Sequence, residues 1–489
     1  MRLNEIIKDL EIEKVFGSDK IEISGIAFDS RAVKPGNLFV CITGFKTDGH
    51  AYAESAVASG AAAIIAEKDL SALGVTCVVV KNSRKAMAVA AAEFYGHPDE
   101  HFKLIGITGT NGKTTTTYLV KSVLESMGKK VGLIGTNQNM IGNEIIPSKH
   151  TTPDSLELMQ LFALMAEKKA DYVVMEVSSH SLALDRVTAC RFDVGAFTNI
   201  TQDHLDFHKT MEEYLKAKSI LFTLCDAGAV NIDDDGAKYI LENAKCKTML
   251  TYGIENDCDL RASDIKLHKD GVSFMLCYDG ESYDAALKIP GMFSVYNALT
   301  ALSCLAAAGI SMKDAVEKLK NALGVKGRVE VVETGRDFGV IIDYAHTPDG
   351  LYNVIRTIKG FAKGRIITVF GCGGDRDKTK RPKMGKIVSE MADLAVVTSD
   401  NPRSEDPEAI IEDVLVGVKE GGGEYVVVPN RFAAIEYALD HAKKDDIILL
   451  AGKGHETYQI LADRTIMFDE REIVHKLLNV SVSDVKING

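Results

Sequence analysis

The run Ile105-Gly106-Ile107-Thr108-Gly109-Thr110-Asn111-Gly112-Lys113-Thr114-Thr115 carries the most specific chemistry in the sequence. It follows an apolar, strand-like stretch and opens a helical one, the setting a phosphate loop needs. Glycines let backbone N–H groups approach phosphate oxygens, and the helix N-terminus adds favourable partial charge. Lys113 would then reach the β- and γ-phosphates, and the Thr114 hydroxyl would face Mg2+. The general pattern wants Gly where this chain has Ile107, so the loop departs from it at one position. Such loops serve switch GTPases, motors, kinases and ligases alike; the guanine-reading NKxD of GTPases is missing.

Three further groups could do chemistry. Glu176 closes the apolar run Tyr172-Val173-Val174-Met175, where a carboxylate at a strand end can hold Mg2+ directly or through water. His204 and His208 stand four apart, with Asp203 and Asp206 beside and between them. That spacing admits zinc on one helical face, but Leu205 occupies the place of a zincin's catalytic Glu; it equally admits a Mg2+ site, or a helix start at which Asp203 is favoured by the dipole. Lys218, from periodicity alone, reads as a solvated helix lysine. Farther on, Gly371-Cys372-Gly373-Gly374 after a strand suggests a dinucleotide fingerprint, yet Arg376 stands where GxGxxG requires Gly.

The elements that must position these groups follow an α/β rhythm. Strand-like runs at Val131 to Ile134, Tyr172 to Val177 and Val194 to Thr198 alternate with helical patterns at 114–127, 154–168 and 211–224, predicting a parallel sheet covered on both faces. The stretch 246–290, rich in Thr, Tyr and Val and split by Asp-Gly turns, predicts an antiparallel insert. A second alternation follows, with strands expected at Gly339 to Ile342, Arg365 to Phe370, Leu394 to Thr398, Tyr425 to Val428 and Ile447 to Ala451. Breaks at Tyr95-Gly96-His97-Pro98 and Gly324-Val325-Lys326-Gly327 place domains near 1–98, 99–327 and 328–489. The fold class expected is α/β, a central phosphate-loop domain between an N-terminal α/β domain and a C-terminal Rossmann-like one.

Length and composition agree: 489 residues at roughly 100–200 per domain make about three domains. With 57 Lys and Arg against 69 Asp and Glu the net charge is −12, which disfavours nucleic acid as a partner. The nine cysteines have no CxxC spacing and suit a reducing cytosol. Neither a signal-type segment nor an apolar run long enough to span a bilayer is evident, so a cytoplasmic protein, not inserted in a membrane, is expected.

Taken together, GTNGKTT (109–115), HTTP (150–153), EVSSHSLALDRV (176–187), FTNITQDHLDFH (197–208), YLKAKSILF (214–222), DYAHTP (343–348), GCGGDRDKTKRP (371–382) and AGKGHE (451–456) resemble the Mur ligase family over nearly the whole chain. The resemblance is to members that add the third amino acid to UDP-N-acetylmuramoyl-L-alanyl-D-glutamate. It implies an ATP-dependent ligase of peptidoglycan precursor synthesis, working through an acyl phosphate.

Residue by residue, the resemblance implies that Gly109, Thr110, Asn111, Gly112, Lys113, Thr114, Thr115, Asn297, Arg328 and Asp343 bind ATP. Thr114, Glu176, His204 and Lys218, the last as a carbamate, would hold Mg2+, with Lys113, Glu176, His204 and Lys218 as the catalytic set. Phe28, Ser30, Phe45, Lys46 and Thr47, then His150, Thr151, Thr152, Ser178 and Arg186, would bind the UDP-muramoyl dipeptide; Leu184, polar in some members, is not carried over. Arg376, Asp400, Asn401, Pro402, Arg403, Gly452 and Glu456 would bind the incoming amino acid. Asp400-Asn401-Pro402-Arg403 resembles the signature of members that take meso-diaminopimelate, whose second carboxylate suits a bidentate Arg; lysine addition, a folylpolyglutamate synthase-like ligase and a phosphate-loop ATPase that forms no bond are the alternatives. A monomer is expected.

Overall fold

The computed structural model describes residues 1–44, 47–147, 150–268, 271–322 and 324–479. They form two compact units: Met1–Arg261 with Cys277–Glu281 and Leu299–Lys318, and Ala262–Leu276 with Ser282–Ala298 and Leu319–Gly489.

In the first unit, β1 (Ile12–Phe16), β2 (Gly25–Ala27), β3 (Asn37–Val40), β4 (Ala63–Ala66) and β5 (Thr76–Val80) form a five-stranded sheet in the order β1-β5-β4-β3-β2. β3, β4 and β5 are buried throughout, as their largely apolar sequences require. The helix Ser83–Tyr95 is capped by the Asn82 side chain, which accepts from Arg84 and Lys85 N–H, and stops at left-handed Gly96. The helix thus ends at the glycine that the sequence marks as a turn residue.

The larger sheet of this unit has at its centre β6 (Lys103–Thr108), followed along the chain by β7 (Val131–Ile134), β8 (Asn139–Ile141), β9 (Glu144–Ile146), β10 (Tyr172–Glu176), β11 (Phe192–Phe197), β12 (Cys225–Asn231) and β13 (Thr248–Gly253). The order β13-β12-β11-β6-β10-β7 is parallel, and β8 and β9 add an antiparallel edge. Glu176 pairs with Ile107 and Phe197 with Thr108, so β6, β10 and β11 end flush. The loops that leave their carboxyl ends therefore meet at one edge, where ligands of open α/β sheets bind.

One expectation needs correction. Residues 246–290 are not wholly an antiparallel insert: β13 is parallel to β12, with Ala227 opposite Thr248. The helix Ala237–Asn243 makes a crossover between them, so β13 extends the parallel set. β14 (Leu260–His268), β15 (Gly271–Tyr278) and β16 (Glu281–Leu287) follow. The expected helix 211–224 is α-helical over Met211–Ser219 and tightens to a 3-10 turn over Ile220–Thr223.

The second unit holds β17 (Glu330–Val332), β18 (Gly339–Asp343), β19 (Ile366–Phe370), β20 (Leu394–Val397), β21 (Tyr425–Val427) and β22 (Ile447–Ala451), ordered β17-β18-β22-β19-β20-β21. All neighbours except β17 are parallel. Ile341 and Leu449 pack into one apolar cluster, Val340, Ile342, Ile448 and Leu450 into another. Alternate residues thus feed cores on both faces, which is why these strands read as unbroken apolar runs. Asp343 pairs with Ala451 and Phe370 with Val397, again aligning the carboxyl ends. β23 (Tyr458–Ile460) and β24 (Thr465–Met467) form a separate antiparallel pair.

Candidate active site

The phosphate loop leaves β6 and enters the helix Lys113–Ser126. Gly109 has φ +148°, and a Cβ there would lie 1.8 Å from Thr198 Oγ1, so both backbone and space demand glycine. The loop is braced by β11's exit: Asn111 N–H donates to Asn199 Oδ1 (2.9 Å), Thr198 Oγ1 donates to Asn111 O (2.6 Å), and Thr201 N–H donates to Thr110 Oγ1 (3.0 Å). Lys113 Nζ donates to the Gly109 and Thr110 carbonyls, each at 2.9 Å.

Beside it, Thr114 Oγ1 donates to Glu176 Oε2 (3.0 Å). Thr136, at the exit of β7, gives Glu176 two more bonds, from N–H to Oε1 (2.8 Å) and from Oγ1 to Oε2 (3.0 Å). Thr136 was missed in the sequence, though Gly135-Thr136-Asn137 repeats the Gly109-Thr110-Asn111 triplet at a second strand end. The Thr136 hydroxyl in turn meets that of Thr151 at 3.0 Å.

Thr152 Oγ1 donates to Glu176 O (2.9 Å) and accepts from Ser178 N–H (3.0 Å), while Arg186 donates to Thr152 O (3.0 Å) and pairs with Asp154 (2.9 Å). The structure thus joins Thr114, Glu176, Thr151, Thr152, Ser178 and Arg186 in one network. His150 is exposed beside it.

Lys218, expected from periodicity to be solvated, is 1% exposed. Its Nζ lies 4.3 Å from the Tyr214 ring centre, and Tyr214's hydroxyl meets Thr110 Oγ1 at 3.2 Å. Burial holds the ammonium well below its ordinary pKa, and the Lys113 charge lowers it further. A neutral amine is the form that can take up carbon dioxide as a carbamate, so the site suits that modification. His204 sits at left-handed φ +52°, with Nε2 3.3 Å from Asp203 Oδ2 and its ring 4.8 Å from that of His180. His208 meets Ser179 Oγ at 2.9 Å instead.

Among the described residues, no group of three His, Cys, Asp or Glu gathers to hold a metal. A Thr hydroxyl touching one carboxylate nonetheless fits Mg2+, which takes one or two protein oxygens and completes its shell with phosphates and water.

In the N-terminal sheet's loops, Phe28 is 38% exposed and Ser30 opens a 3-10 turn capped by Asp29. Thr47 O accepts from Gly44 N–H (2.9 Å); Phe45 and Lys46 lie outside the described residues.

The second unit carries the other cluster. After β20, Asp400 Oδ1 accepts from Asn401 N–H (2.7 Å). Asn401 Nδ2 donates to Glu456 Oε2 (2.9 Å), and buried Lys453 donates to both Asn401 Oδ1 and Glu456 Oε2 at 3.1 Å. Gly452 has φ +115°, and a Cβ there would come within 2.8 Å of Asp400 Oδ2. Arg403, following Pro402 at φ +53°, donates from Nη1 to Gly374 O (2.8 Å); Arg376 donates to Asp375 O (3.0 Å).

Beneath these lies Arg431, unexposed, bonded to Glu470 (2.8 Å) and Ala451 O (2.9 Å) and 3.7 Å from Asp400 Oδ2. Lys453 and Arg431 were not picked out from sequence, although Lys453 lies inside AGKGHE.

Asp343, at the end of β18, accepts from Val329 and Ala345 N–H, both at 2.8 Å, and burial raises its carboxyl. The Arg328 guanidinium lies 5.0 Å over the Tyr344 ring. Asn297 is buried in the helix Met292–Ala307.

A phosphate loop set on a parallel sheet defines a nucleotide-using α/β protein. Three families match along the chain: Mur ligase family, catalytic domain, over 22–95; Mur ligase middle domain over 107–305; and Mur ligase, glutamate ligase domain, over 327–454. The chain belongs to the Mur ligase family. It is 52% identical over 480 residues to the UDP-N-acetylmuramoyl-L-alanyl-D-glutamate--2,6-diaminopimelate ligase of Caldanaerobacter subterraneus subsp. tengcongensis, covering 98% of this chain and 99% of that protein. Identity to the ligase of the same name from Clostridium botulinum is 50%, with 98% of this chain and 99% of that protein covered. A solved structure of a ligase bearing that name matches with a TM-score of 0.73 and 31% identity, covering 98% and 99% of the two chains.

Proposed function

We propose that the chain is an ATP- and Mg2+-dependent ligase that joins meso-2,6-diaminopimelate to UDP-N-acetylmuramoyl-L-alanyl-D-glutamate in peptidoglycan precursor synthesis. The observation that carries this reading is full-length identity of about half to relatives named for that reaction, joined to a braced phosphate loop and a separate acid–base cluster built on Asp400–Arg403.

The D-glutamate carboxylate takes the γ-phosphoryl group of ATP, giving an acyl phosphate and ADP. The amine then attacks the acyl carbon, phosphate leaves, and the amine's proton is lost. Catalysis needs phosphoryl charge neutralised and two anions held in line. On our reading the N–H groups of Gly109–Thr115 and the helix N-terminus cradle the phosphates, and Lys113 exchanges the loop carbonyls for phosphate oxygens. Bound Mg2+ supplies Lewis-acid neutralisation of that charge. Thr114, Glu176, His204 and carbamylated Lys218 are the residues proposed to hold it, with Thr136 fixing Glu176.

Asn297, Arg328 and Asp343 are assigned to the nucleotide. Phe28, Ser30, Phe45, Lys46, Thr47, His150, Thr151, Thr152, Ser178 and Arg186 are assigned to the UDP-muramoyl dipeptide. Arg376, Asp400, Asn401, Pro402, Arg403, Gly452 and Glu456 are assigned to diaminopimelate, Arg403 to its second carboxylate and Glu456 to an ammonium. Domain boundaries near residues 98 and 327, a monomeric state and a cytoplasmic location complete the proposal; no helix among the described residues is long and apolar enough to cross a membrane.

The test is phosphate release with ATP, Mg2+ and UDP-muramoyl dipeptide, adding diaminopimelate or lysine in turn. Release should depend on diaminopimelate and yield a product one residue heavier. Release indifferent to the amine would refute a ligase, and preference for lysine would reassign the amino acid.

A further inference from the structure

β12 and β13 run parallel, with Ala227 opposite Thr248 and Gly228 opposite Met249. Two residues ahead of that register stand Cys225, which opens β12, and Cys246, in the connection entering β13. The pairing reaches them, since Lys247 N–H donates to Asp226 O at 2.8 Å. Side chains return to the same face every second residue, so the two thiols extend one face of the ladder past its end. Adjacent strands lie about 4.8 Å apart, inside the roughly 4.4–6.8 Å window between Cα atoms that a disulfide spans. The sulfurs are 3.3 Å apart.

The surroundings favour this pair over the other cysteines. Gly195 makes room for it: a Cβ there would come within 2.8 Å of Cys225 Sγ. Cys246 is partly exposed and Cys225 buried, so an oxidant reaches one sulfur and the second waits behind it. The hydrogen bond between them lowers the Cys246 thiol and raises that of Cys225, which puts the thiolate on the accessible sulfur. Burial instead pushes Cys41, Cys304 and Cys372 up to about 12. As a thiol, Cys246 Sγ donates to Phe222 O at 3.3 Å, in the 3-10 turn that continues the Lys218 helix; the thiolate gives up that bond and accepts from Cys225 instead.

We propose that Cys225 and Cys246 form a reversible dithiol–disulfide site that reacts with hydroperoxides. The Cys246 thiolate attacks the peroxide; the O–O bond breaks, sulfur keeps one oxygen as a sulfenic acid, and the other oxygen leaves as water or an alcohol. The Cys225 sulfur then attacks the sulfenic sulfur, the S–S bond forms and water departs. Two thiols lose two electrons, the peroxide gains them, and a small dithiol reverses the change by exchange.

The experiment treats the whole protein with equimolar hydrogen peroxide, alkylates it under denaturing conditions and maps the peptides. Expected is a linked peptide pair joining residues 225 and 246, lighter by two hydrogens than its parts and separated by dithiothreitol. In Cys225→Ser, Cys246 should stop at the sulfenic acid and be trapped by dimedone. In Cys246→Ser, Cys225 should stay reduced. The proposal is overturned if both cysteines remain alkylated while the exposed Cys277 oxidises, or if Cys225→Ser yields no sulfenic acid at Cys246.

Discussion

The Thr114 hydroxyl donates to Glu176 Oε2 across 3.0 Å, tying the first turn of the phosphate-loop helix to the end of β10. If this pair holds Mg2+ against the phosphates, Thr114→Ala should lower diaminopimelate-dependent phosphate release by roughly 100- to 1,000-fold, the usual loss for one positioned electrostatic group. It should cost stability only about 1 kcal/mol, one hydrogen bond. Thr114→Ser should retain most of the rate. Steady-state kinetics over a Mg2+ titration, with a thermal melt alongside, separates these outcomes; an unchanged rate in Thr114→Ala would make the contact purely structural.

Burial lowers the Lys218 ammonium well below its ordinary pKa, which favours the neutral amine. Protein equilibrated with 13C-bicarbonate should show a carbamate resonance that Lys218→Met lacks. Phosphate release by the variant should fall at least ~100-fold if the carbamate supports the metal. Its melting temperature should stay level or rise, because replacing a buried ionisable group by an apolar chain of similar size is neutral or stabilising.

Arg403 should decide the amino acid. Arg403→Ala is expected to raise KM for diaminopimelate roughly 100-fold through the loss of a charge-assisted contact. KM for the dipeptide should not move. Arg403→Lys should recover only part, since an ammonium lacks the planar fork. Initial rates with each substrate varied in turn check this; an unchanged diaminopimelate KM would remove Arg403 from the site.

His455 gives the chain an acid-side sensitivity. Burial first, then the charges of Arg328 and Lys326, bring its folded pKa from 6.5 to about 4. Between those values the unfolded chain binds a proton that the native site refuses, so stability is level above pH 6.5 and falls as pH drops toward 4. Discounted for partial exposure, the loss should be roughly 2 kcal/mol. Denaturant unfolding of wild type and His455→Gln, at neutral pH and near pH 4.5, should show a smaller acid loss in the variant; equal losses would assign the sensitivity elsewhere.

What the sequence made legible was local. The loop at 109–115 could be read because strand, glycines, Lys and Thr are contiguous, and the two α/β alternations because their central strands are buried on both faces. Lys218 could not be read: helical spacing places Tyr214 one turn before it on the same helix, while Lys113 and the phosphate loop that help enclose it come from elsewhere in the fold. β13 misled for a related reason. Its Thr and Tyr content suits a hairpin, but the short helix Ala237–Asn243 returns the chain parallel to β12. Thr136 shows the converse, a readable Gly-Thr-Asn triplet whose bond to Glu176 needs β7 and β10 to be neighbours.

Lys453 ends its side chain with no solvent exposure, shared between Asn401 and Glu456. Glu456 is thus partly neutralised before any substrate arrives. Around the proposed amino-acid pocket, Arg376, Arg403, Arg431 and Lys453 face Asp375, Asp400, Glu456 and Glu470, four charges against four. Free lysine carries a net positive charge at neutral pH, whereas diaminopimelate, with two carboxylates and two ammonium groups, carries none. A pocket whose own charges balance takes the neutral zwitterion without leaving net charge behind, whereas lysine would bring an excess positive charge and leave Arg403 facing no second carboxylate.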